Sequence, residues 1–313
     1  MASSKKRAKI YAAKVKAALL VIAVAVALLL YAFPCLRAKL SEYFPFMDPP
    51  REETPVTGDL DVHFIDVGQG DASLILTPEG NAMLIDTGES SEKELLIAYI
   101  ESLGVETLDY LVLTHPHSDH IGGASAILSA FEVKAVLMPD AETDTATFLR
   151  VLEAIDEEGC GVTVPKVNDT VTLGSAVFTV LGPVDSYRDL NDMSLVLRMD
   201  YGSTSFLFTG DAEVPSEEDM LARHPASAFK ADVLKLGHHG SSTSTSTAFL
   251  SAVRPSYAVA SCGENNEYGH PHRETLSLLT NKNITLLRTD EDGSVVFTSN
   301  GSKVMLLTPS TRS

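Results

Sequence analysis

The 313-residue chain carries 24 Lys and Arg against 42 Asp and Glu, a formal net charge of −18, and 44% of its residues are hydrophobic. This hydrophobic content allows a sizeable core and excludes a chain that is disordered throughout. Residues 1–50 hold eight Lys and Arg against two Asp and Glu, and subtracting these from the totals leaves 16 basic and 40 acidic residues for positions 51–313, a formal charge of −24. A domain this acidic has no general attraction for nucleic acid, because phosphate contacts need clustered Lys and Arg. A phosphodiester substrate would therefore depend on bound cations or local patches.

The N-terminal region predicts a membrane anchor. A basic segment, residues 1–16, precedes an apolar run over residues 17–36, and the next charge is at Arg37. The run has about the length of a membrane-spanning helix, roughly 20 residues. The basic cluster favours a cytoplasmic N-terminus, which puts the rest of the chain outside the cell. We expect an uncleaved single-pass anchor; a cleaved signal peptide, which would release a secreted domain, is the alternative.

A proline-rich linker and a β-meander come next. Residues 37–59 contain four prolines and mixed charge, as is typical of a linker. Three strand patterns follow at 61–67, 72–77 and 82–86, separated by the turn sequences "GQGD" and "PEGN". Their short connections predict an antiparallel meander.

Helices and strands then alternate to the end of the chain. Helical patterns occur at residues 90–104, 121–131, 146–158, 216–223, 246–252 and 274–280. Strand patterns occur at residues 108–114, 133–139, 176–183, 194–202, 204–211, 231–237, 256–263, 284–289, 294–299 and 303–309. This mixture predicts one layered α/β domain over residues 60–308, followed by a short tail at 309–313.

The segment "THPHSDHIGG" predicts a metal site. His115, His117, Asp119 and His120 follow an apolar strand pattern within six positions. Imidazole nitrogens and carboxylate oxygens are ligands that borderline divalent ions accept. Residues two apart on an extended segment point the same way, so His115 and His117 can hold one ion while Asp119 and His120 reach a second. The two following glycines allow the chain to fold back closely beneath the site.

Further candidate residues follow other strands. Asp211 ends "FLFTGD", His238 and His239 lie in "LKLGHHGSS", and His270 lies in "NEYGHPH". Asp86 in "LIDTG" also ends a strand, where a carboxylate can orient a ligand histidine. Loops after strands of one α/β domain converge more readily than scattered surface positions, so we expect these residues to meet "THPHSDHIGG".

Together the segments "HFIDVGQGDASLI", "LIDTG", "THPHSDHIGG", "NDMSLVL", "FLFTGD", "LKLGHHGSS" and "YGHPH" resemble the metallo-β-lactamase fold superfamily. More narrowly, they are similar to the soluble metallo-hydrolase domain of the ComEC-type proteins of bacterial competence and DNA uptake. The resemblance covers roughly residues 61–308. It implies a four-layer αββα sandwich and a site for two divalent metal ions, zinc or manganese.

The resemblance also implies roles for individual residues. His115 and His117 would bind the first metal, Asp119 and His120 the second, Asp211 would bridge them, and His270 would be the last ligand. Asp119 would also take part in catalysis, and either His238 or His239 would donate a proton or bind phosphate, with metal binding by one of the two as the alternative. The superfamily usually places a histidine where this chain has Asn191, which is counted among the candidate metal residues; the lack of a histidine there implies a weaker first site or a harder ion such as manganese.

The implied activity is hydrolysis of a phosphodiester or nucleic acid, in which a metal-bound hydroxide attacks and a histidine protonates the leaving oxygen. One alternative is a hydrolase of a cell-envelope phosphate ester, such as phosphocholine on teichoic acid. The other is a binding module that keeps the fold without catalysis. We expect contact with the membrane through the N-terminal helix and no stable protein partner.

Overall fold

The computed structural model of the protein describes residues 58–307. The predicted cytoplasmic segment, the membrane anchor, nearly all of the linker and the tail lie outside the described residues. Within residues 58–307, no helix combines the length and the apolar character that crossing a membrane requires.

The described chain contains strands β1 to β17 and helices α1 to α8. The strands are β1 (Leu60–Phe64), β2 (Ser73–Leu76), β3 (Ala82–Ile85), β4 (Thr107–Leu108), β5 (Tyr110–Val112), β6 (Glu132–Val133), β7 (Ala135–Leu137), β8 (Gly161–Thr163), β9 (Thr170–Leu173), β10 (Ala176–Gly182), β11 (Val196–Tyr201), β12 (Thr204–Phe208), β13 (Val233–Lys235), β14 (Tyr257–Ala260), β15 (Thr285–Arg288), β16 (Val295–Ser299) and β17 (Val304–Leu307). The helices are α1 (Lys93–Ser102), α2 (Ser118–Ile121), α3 (Ala124–Ala130), α4 (Ala146–Glu158), α5 (Val214–Arg223), α6 (Thr247–Val253), α7 (Arg273–Asn281) and α8 (Thr289–Asp292). Short 3-10 turns lie at Asn191–Met193, Ala226–Ala228 and Gly237–Gly240.

Most strands form two large mixed sheets. Sheet I has the order β17-β16-β1-β2-β3-β5-β7-β8, and sheet II has the order β15-β14-β13-β12-β11-β10-β9. In each sheet one half is antiparallel and the other is parallel: β3, β5, β7 and β8 pair in parallel in sheet I, and β12 to β15 do so in sheet II. Strands β4 and β6 form a separate parallel pair.

The two sheets pack face to face, with helices covering their outer faces. In β12, Phe206 and Phe208 belong to the core between the sheets, whereas Leu207 belongs to the core beneath the helices of sheet II. This alternation follows from the two-residue period of a strand. A third core joins sheet I to residues of α1, α3 and α4. The layers are therefore helix, sheet, sheet, helix, as the resemblance implied.

The predicted elements agree with the structure in order and type. The meander is antiparallel β1, β2 and β3, and helix α4 has the predicted limits, with the Thr145 side chain accepting from the Phe148 amide as its N-cap. The strand patterns did not include β8 and β9, nor the two-residue strands β4 and β6. Strand β8 is wholly exposed, so it lacks the alternation of apolar residues that marks a half-buried strand.

Candidate metal centre

The candidate residues lie where strands of the two sheets end. Asp86 follows β3, His115 comes shortly after β5, and Asp211 follows β12. His238 and His239 follow β13 in the Gly237–Gly240 turn. Because the parallel strands of a sheet present their carboxyl ends at one edge, the loops that leave this edge bring distant parts of the sequence together.

The backbone around the histidine loop is closely packed. Helix α2 begins after His117, whose backbone is extended. A Cβ atom on Gly122 would lie 2.5 Å from the Ser90 amide nitrogen, and one on Gly70 would lie 2.3 Å from the Asp119 carbonyl oxygen. Only glycine fits at these two contacts, so the "GQGD" turn lies directly against the loop.

The "GHHG" turn holds two histidines in an uncommon conformation. His238 has φ 47° and His239 has φ 53°, both in the left-handed region that non-glycine residues seldom adopt. Such residues cost on the order of 1–3 kcal/mol each and cluster at functional sites. In this conformation His238 Nδ1 contacts Glu213, whereas His239 Nδ1 contacts the Ser261 carbonyl.

Four histidines share one arrangement, in which Nδ1 has a fixed partner. His120 Nδ1 lies 2.8 Å from Asp86 Oδ2, and His239 Nδ1 donates to the Ser261 carbonyl at 2.9 Å. His238 Nδ1 lies 2.8 Å from Glu213 Oε1. His115 Nδ1 lies 3.2 Å from Thr114 Oγ1 and 3.3 Å from Ser194 Oγ. A hydrogen bond at Nδ1 fixes the tautomer and leaves Nε2 free to bind a metal or a reacting atom.

Asp211 is the centre of this arrangement. Its Oδ2 lies 3.2 Å from Nε2 of His120 and 3.5 Å from Nε2 of His239, and 3.9 Å from Nε2 of both His115 and His238. The Asp211 amide donates to Ser194 Oγ at 3.0 Å, which fixes the start of this turn. One oxygen of the Asp211 carboxylate is therefore surrounded by four imidazoles.

The electrostatics of the centre favour bound positive charge. Burial alone would raise the pKa of Asp211, but His120 and His239 hold it well below its usual range. Burial alone would lower the pKa of His239, but Asp211 and Asp71 raise it to about 10. The pKa of His120 is likewise raised well above its usual value, against its burial, by Asp211, Asp86 and Asp119. The buried carboxylates thus stabilise cations, whether protons or metal ions.

The donor set fits a divalent metal ion. Ligand atoms of Asp71, His120, Asp211 and His239 all lie within 4.8 Å of one another, and all four residues are buried. His120 Nε2 and Asp211 Oδ1 are buried without a hydrogen-bond partner. Buried polar atoms are normally satisfied, so these two atoms are donors that a bound metal ion would satisfy.

Asp71 differs from the other three members of this group. Its Oδ2 lies 2.7 Å from Nζ of Lys235, a lysine that is only 2% exposed, and its Oδ1 lies 3.2 Å from His239 Nδ1. Lys235 also donates to the Leu236 carbonyl at 2.7 Å. Asp71 Oδ2 is therefore committed to an ion pair behind His239, whereas Asp71 Oδ1 is buried without a hydrogen-bond partner.

The other predicted residues lie around the same centre. Asp119 Oδ2 is 3.1 Å from His239 Nε2, and His117 Nδ1 is 3.0 Å from His115 Nε2. The His270 ring lies farther out, with its centroid 5.3 Å from that of His238 and 6.0 Å from that of His239. Asn191 lines the cleft, and its Nδ2 lies 3.5 Å from Glu213 Oε1. Of the predicted metal ligands, His120 and Asp211 belong to the tight four-residue group, whereas His115, His117, Asp119 and His270 lie outside it.

The centre opens to solvent through a cleft of about 570 Å³. Its lining includes His117, Asp119, Asp211, His238, His239 and Tyr268. The volume lies within the range of ligand-binding clefts, about 300–1,000 Å³. The two turn histidines are differently exposed: the His238 side chain is 26% exposed and that of His239 is 1% exposed.

Sequence reasoning did not find four contributing residues: Asp71, Ser194, Glu213 and Lys235. The "GQGD" segment indicates a turn and carries part of the family resemblance, but the sequence assigns no role to Asp71, which lies between this turn and a strand. The Ser194 and Glu213 contacts join segments far apart in the chain, and no local pattern marks them. Lys235 lies inside an apolar strand pattern, and a lysine in such a position is the one signal that could have identified it.

A four-layer αββα fold with a His and Asp cluster at its strand ends defines the class of metallo-hydrolases built on the metallo-β-lactamase scaffold. The sequence model of the Metallo-beta-lactamase superfamily matches residues 65–264. The chain therefore belongs to this superfamily.

Three curated relatives carry names connected with competence or recombination. The chain is 36% identical to "ComE operon protein 3" of Bacillus subtilis over 255 residues, which cover 76% of this chain and 33% of the relative. It is 34% identical to "Recombination protein 2" of Haemophilus influenzae over 75% of this chain and 28% of the relative. It is 32% identical to "Competence protein ComA" of Neisseria gonorrhoeae over 74% of this chain and 31% of the relative. The chain thus matches about a third of the length of each, in agreement with the ComEC-type resemblance.

Solved structures support the fold alone. The metallo-beta-lactamase fold protein YhfI from Bacillus subtilis has a TM-score of 0.53 at 13% identity, covering 78% of this chain and 100% of YhfI. CmlA, a diiron β-hydroxylase from Streptomyces venezuelae, has a TM-score of 0.50 at 16% identity, covering 87% of this chain and 59% of CmlA. Since one scaffold carries such different chemistry, the reaction has to be argued from the site.

Proposed function

We propose that the chain is a metal-dependent phosphodiesterase that acts on nucleic acid. The observation that carries the proposal is the convergence of four imidazole Nε2 atoms on Asp211 Oδ2, at 3.2–3.9 Å, at the base of an open cleft. The names of the relatives support nucleic acid as the substrate, since competence and recombination concern DNA. Cations held at the centre would offset the repulsion between phosphate and this acidic domain.

The proposed metal-holding residues are those whose donor atoms lie around Asp211. One ion would be held by His120, His239, Asp119 and Asp211. The other ion would be held by His115 and His117, with Asp211 as the ligand common to both ions. Divalent ions bound there, zinc or manganese, would polarise a phosphoryl oxygen and lower the pKa of an attacking water molecule. Asp86 and the Ser261 carbonyl keep His120 and His239 in the tautomer that binds metal.

His238 is the proposed proton donor, and Glu213 is its positioning residue. His238 Nε2 faces Asp211 at 3.9 Å, and Glu213 Oε1 accepts from Nδ1 on the other side of the ring. Glu213 also accepts from Thr243 Oγ1 at 2.7 Å, which fixes its carboxylate. His238 can pass an Nε2 proton to the leaving oxygen, while Glu213 holds the ring in orientation through Nδ1. His239, buried and bonded to Ser261, is assigned to metal binding instead.

Hydrolysis assays on the full-length protein test this function. We expect turnover of bis-p-nitrophenyl phosphate and of single-stranded DNA when manganese or zinc is added, and none after chelation. Asp211→Asn should lower kcat/KM by at least about 100-fold, because it removes the shared ligand. Asp156→Asn, on the exposed face of α4, is the matched control and should retain activity.

Two outcomes would contradict the proposal. Absence of metal binding and of phosphodiester hydrolysis with either ion would favour a binding module without catalysis. Faster hydrolysis of a choline phosphate ester than of DNA would favour a cell-envelope substrate.

We further propose that the domain is held outside the cell by a single N-terminal membrane segment at residues 17–36. The apolar run and its basic flank support this topology. Cell fractionation with protease treatment of intact cells tests it: the full-length chain should stay with the membrane, and its domain should be digested from outside. Recovery of a shortened protein from the medium would mean that the segment is cleaved.

A further inference from the structure

Tyr268 presents an aromatic ring at the mouth of the metal cleft. The side chain is 59% exposed, and it lines both the metal cleft and an adjoining hollow of about 370 Å³. Its ring stacks on His270, with the ring centroids 5.6 Å apart and the planes inclined by 19°. A large exposed aromatic side chain beside a candidate catalytic centre has no role in the core and is available to a ligand.

The loop that carries Tyr268 is held in place by hydrogen bonds. The Gly263 amide donates to Gln69 Oε1 at 3.2 Å, which ties the loop to the "GQGD" turn. Asn266 Nδ2 donates to the carbonyls of Gly263 and His270 at 2.9 and 2.7 Å. The Tyr268 carbonyl accepts from His272 Nε2 at 3.0 Å. The ring is therefore preorganised, which lowers the entropic cost of binding.

The charge of the hollow determines which part of a nucleotide it can accept. Besides Asp119, which is assigned to the metals, the carboxylates of Glu89 and Glu267 line it together with Tyr268, and within residues 58–307 its lining holds no Lys or Arg. Phosphates are repelled from such a surface, whereas a neutral base is not. A nucleotide at the centre would thus direct its phosphate to the metals and its base toward Tyr268.

We propose that Tyr268 is a stacking platform for the nucleobase next to the scissile phosphate. This inference rests on the proposed phosphodiesterase function and gives it a specificity residue. Stacking of bases on aromatic side chains is tolerant of sequence and contributes about 1–3 kcal/mol per base. A quaternary ammonium group is the competing ligand for an acidic aromatic site, but it is usually enclosed by several rings. Among the described residues, Tyr268 is the one Tyr or Phe that lines either cavity.

Two chromogenic esters with the same leaving group test the platform. Thymidine 5′-(p-nitrophenyl phosphate) carries a base, and methyl p-nitrophenyl phosphate does not, so the ratio of their kcat/KM values isolates the base. Tyr268→Leu should lower this ratio about 5- to 150-fold, chiefly through KM. Tyr268→Phe should keep it. Leu95→Ala, which changes a side chain that is 48% exposed on α1, is the remote control.

Three results of the ester assays would overturn the proposal. An unchanged ratio in Tyr268→Leu, or an equal loss on both esters, overturns it, because Tyr268 would then not contact the base. Selective loss of p-nitrophenyl phosphorylcholine hydrolysis in Tyr268→Leu also overturns it in favour of an ammonium site.

Binding separates this inference from the proposed function. If the wild-type protein hydrolyses neither ester with manganese or zinc, the proposed function fails, but binding of a single-stranded oligonucleotide containing 2-aminopurine still tests the platform. Its fluorescence should be quenched by the wild-type protein and by Tyr268→Phe, and not by Tyr268→Leu. Equal quenching by all three proteins overturns the platform.

Discussion

The buried carboxylate of Glu217 should make the stability of the protein depend on pH near neutrality. Glu217 lies on α5, is 2% exposed, and accepts from the Thr245 and Ser246 amides at 2.5 and 2.8 Å. It therefore holds the "SSTSTST" segment that follows the "GHHG" turn. Burial raises its pKa to about 7, even though these amides favour the charged form.

The magnitude follows from the difference between the folded and unfolded states. The pKa rises from 4.5 to about 7, and each unit corresponds to about 1.36 kcal/mol. Because the folded state binds the proton more tightly, the contribution of Glu217 to stability is complete below pH 4.5 and is lost as pH rises through 7. The total is about 3 kcal/mol, of which about 2.5 kcal/mol falls between pH 5 and pH 8.

Urea unfolding at pH 5 and pH 8 measures this loss. Glu217→Gln keeps the size and one acceptor oxygen but cannot ionise. The free energy of unfolding of the wild-type protein should therefore fall between the two pH values by about 2.5 kcal/mol more than that of the variant. Glu218→Gln, at the exposed neighbouring position, should follow the wild type. Parallel pH profiles for wild type and Glu217→Gln would refute the reasoning.

Three further predictions concern the centre itself. Asp71→Ala should lower the free energy of unfolding, measured with urea, by about 3–5 kcal/mol, because it leaves Lys235 buried without its partner. Adding Lys235→Met to this variant should restore most of the lost stability. A loss below about 1 kcal/mol in Asp71→Ala would contradict the ion-pair role. Glu213→Gln should lower kcat about tenfold or more and shift its pH profile while KM changes little, since His238 loses its charged partner; an unchanged kcat in steady-state assays would exclude Glu213 as a positioning residue. Manganese or zinc at about 100 times its Kd should stabilise the protein by about 2.7 kcal/mol. Thermal melts should show this as a higher Tm. An equal increase of Tm in Asp211→Asn would mean that the metal binds elsewhere.

Much of the fold could be predicted because local patterns were strong. Helix α4 has its predicted limits, since Thr145 caps it and Gly159 follows it with φ 71°. The antiparallel meander follows from three alternating segments joined by short turns. Strand β8 was not predicted, because all three of its residues are exposed and carry no buried face.

The sequence by itself determined the superfamily, the histidine and aspartate ligand candidates, and the acidic character of residues 51–313. It placed His115, His117, Asp119 and His120 on one loop because their spacing is local. Tertiary structure alone decided which distant groups complete the centre. It separated His239, which is buried in the centre, from the more exposed His238, which pairs with Glu213, and it brought Asp71 and Lys235 together behind them. Such contacts join residues up to 164 positions apart, and they depend on the packing of two sheets, which no local periodicity records.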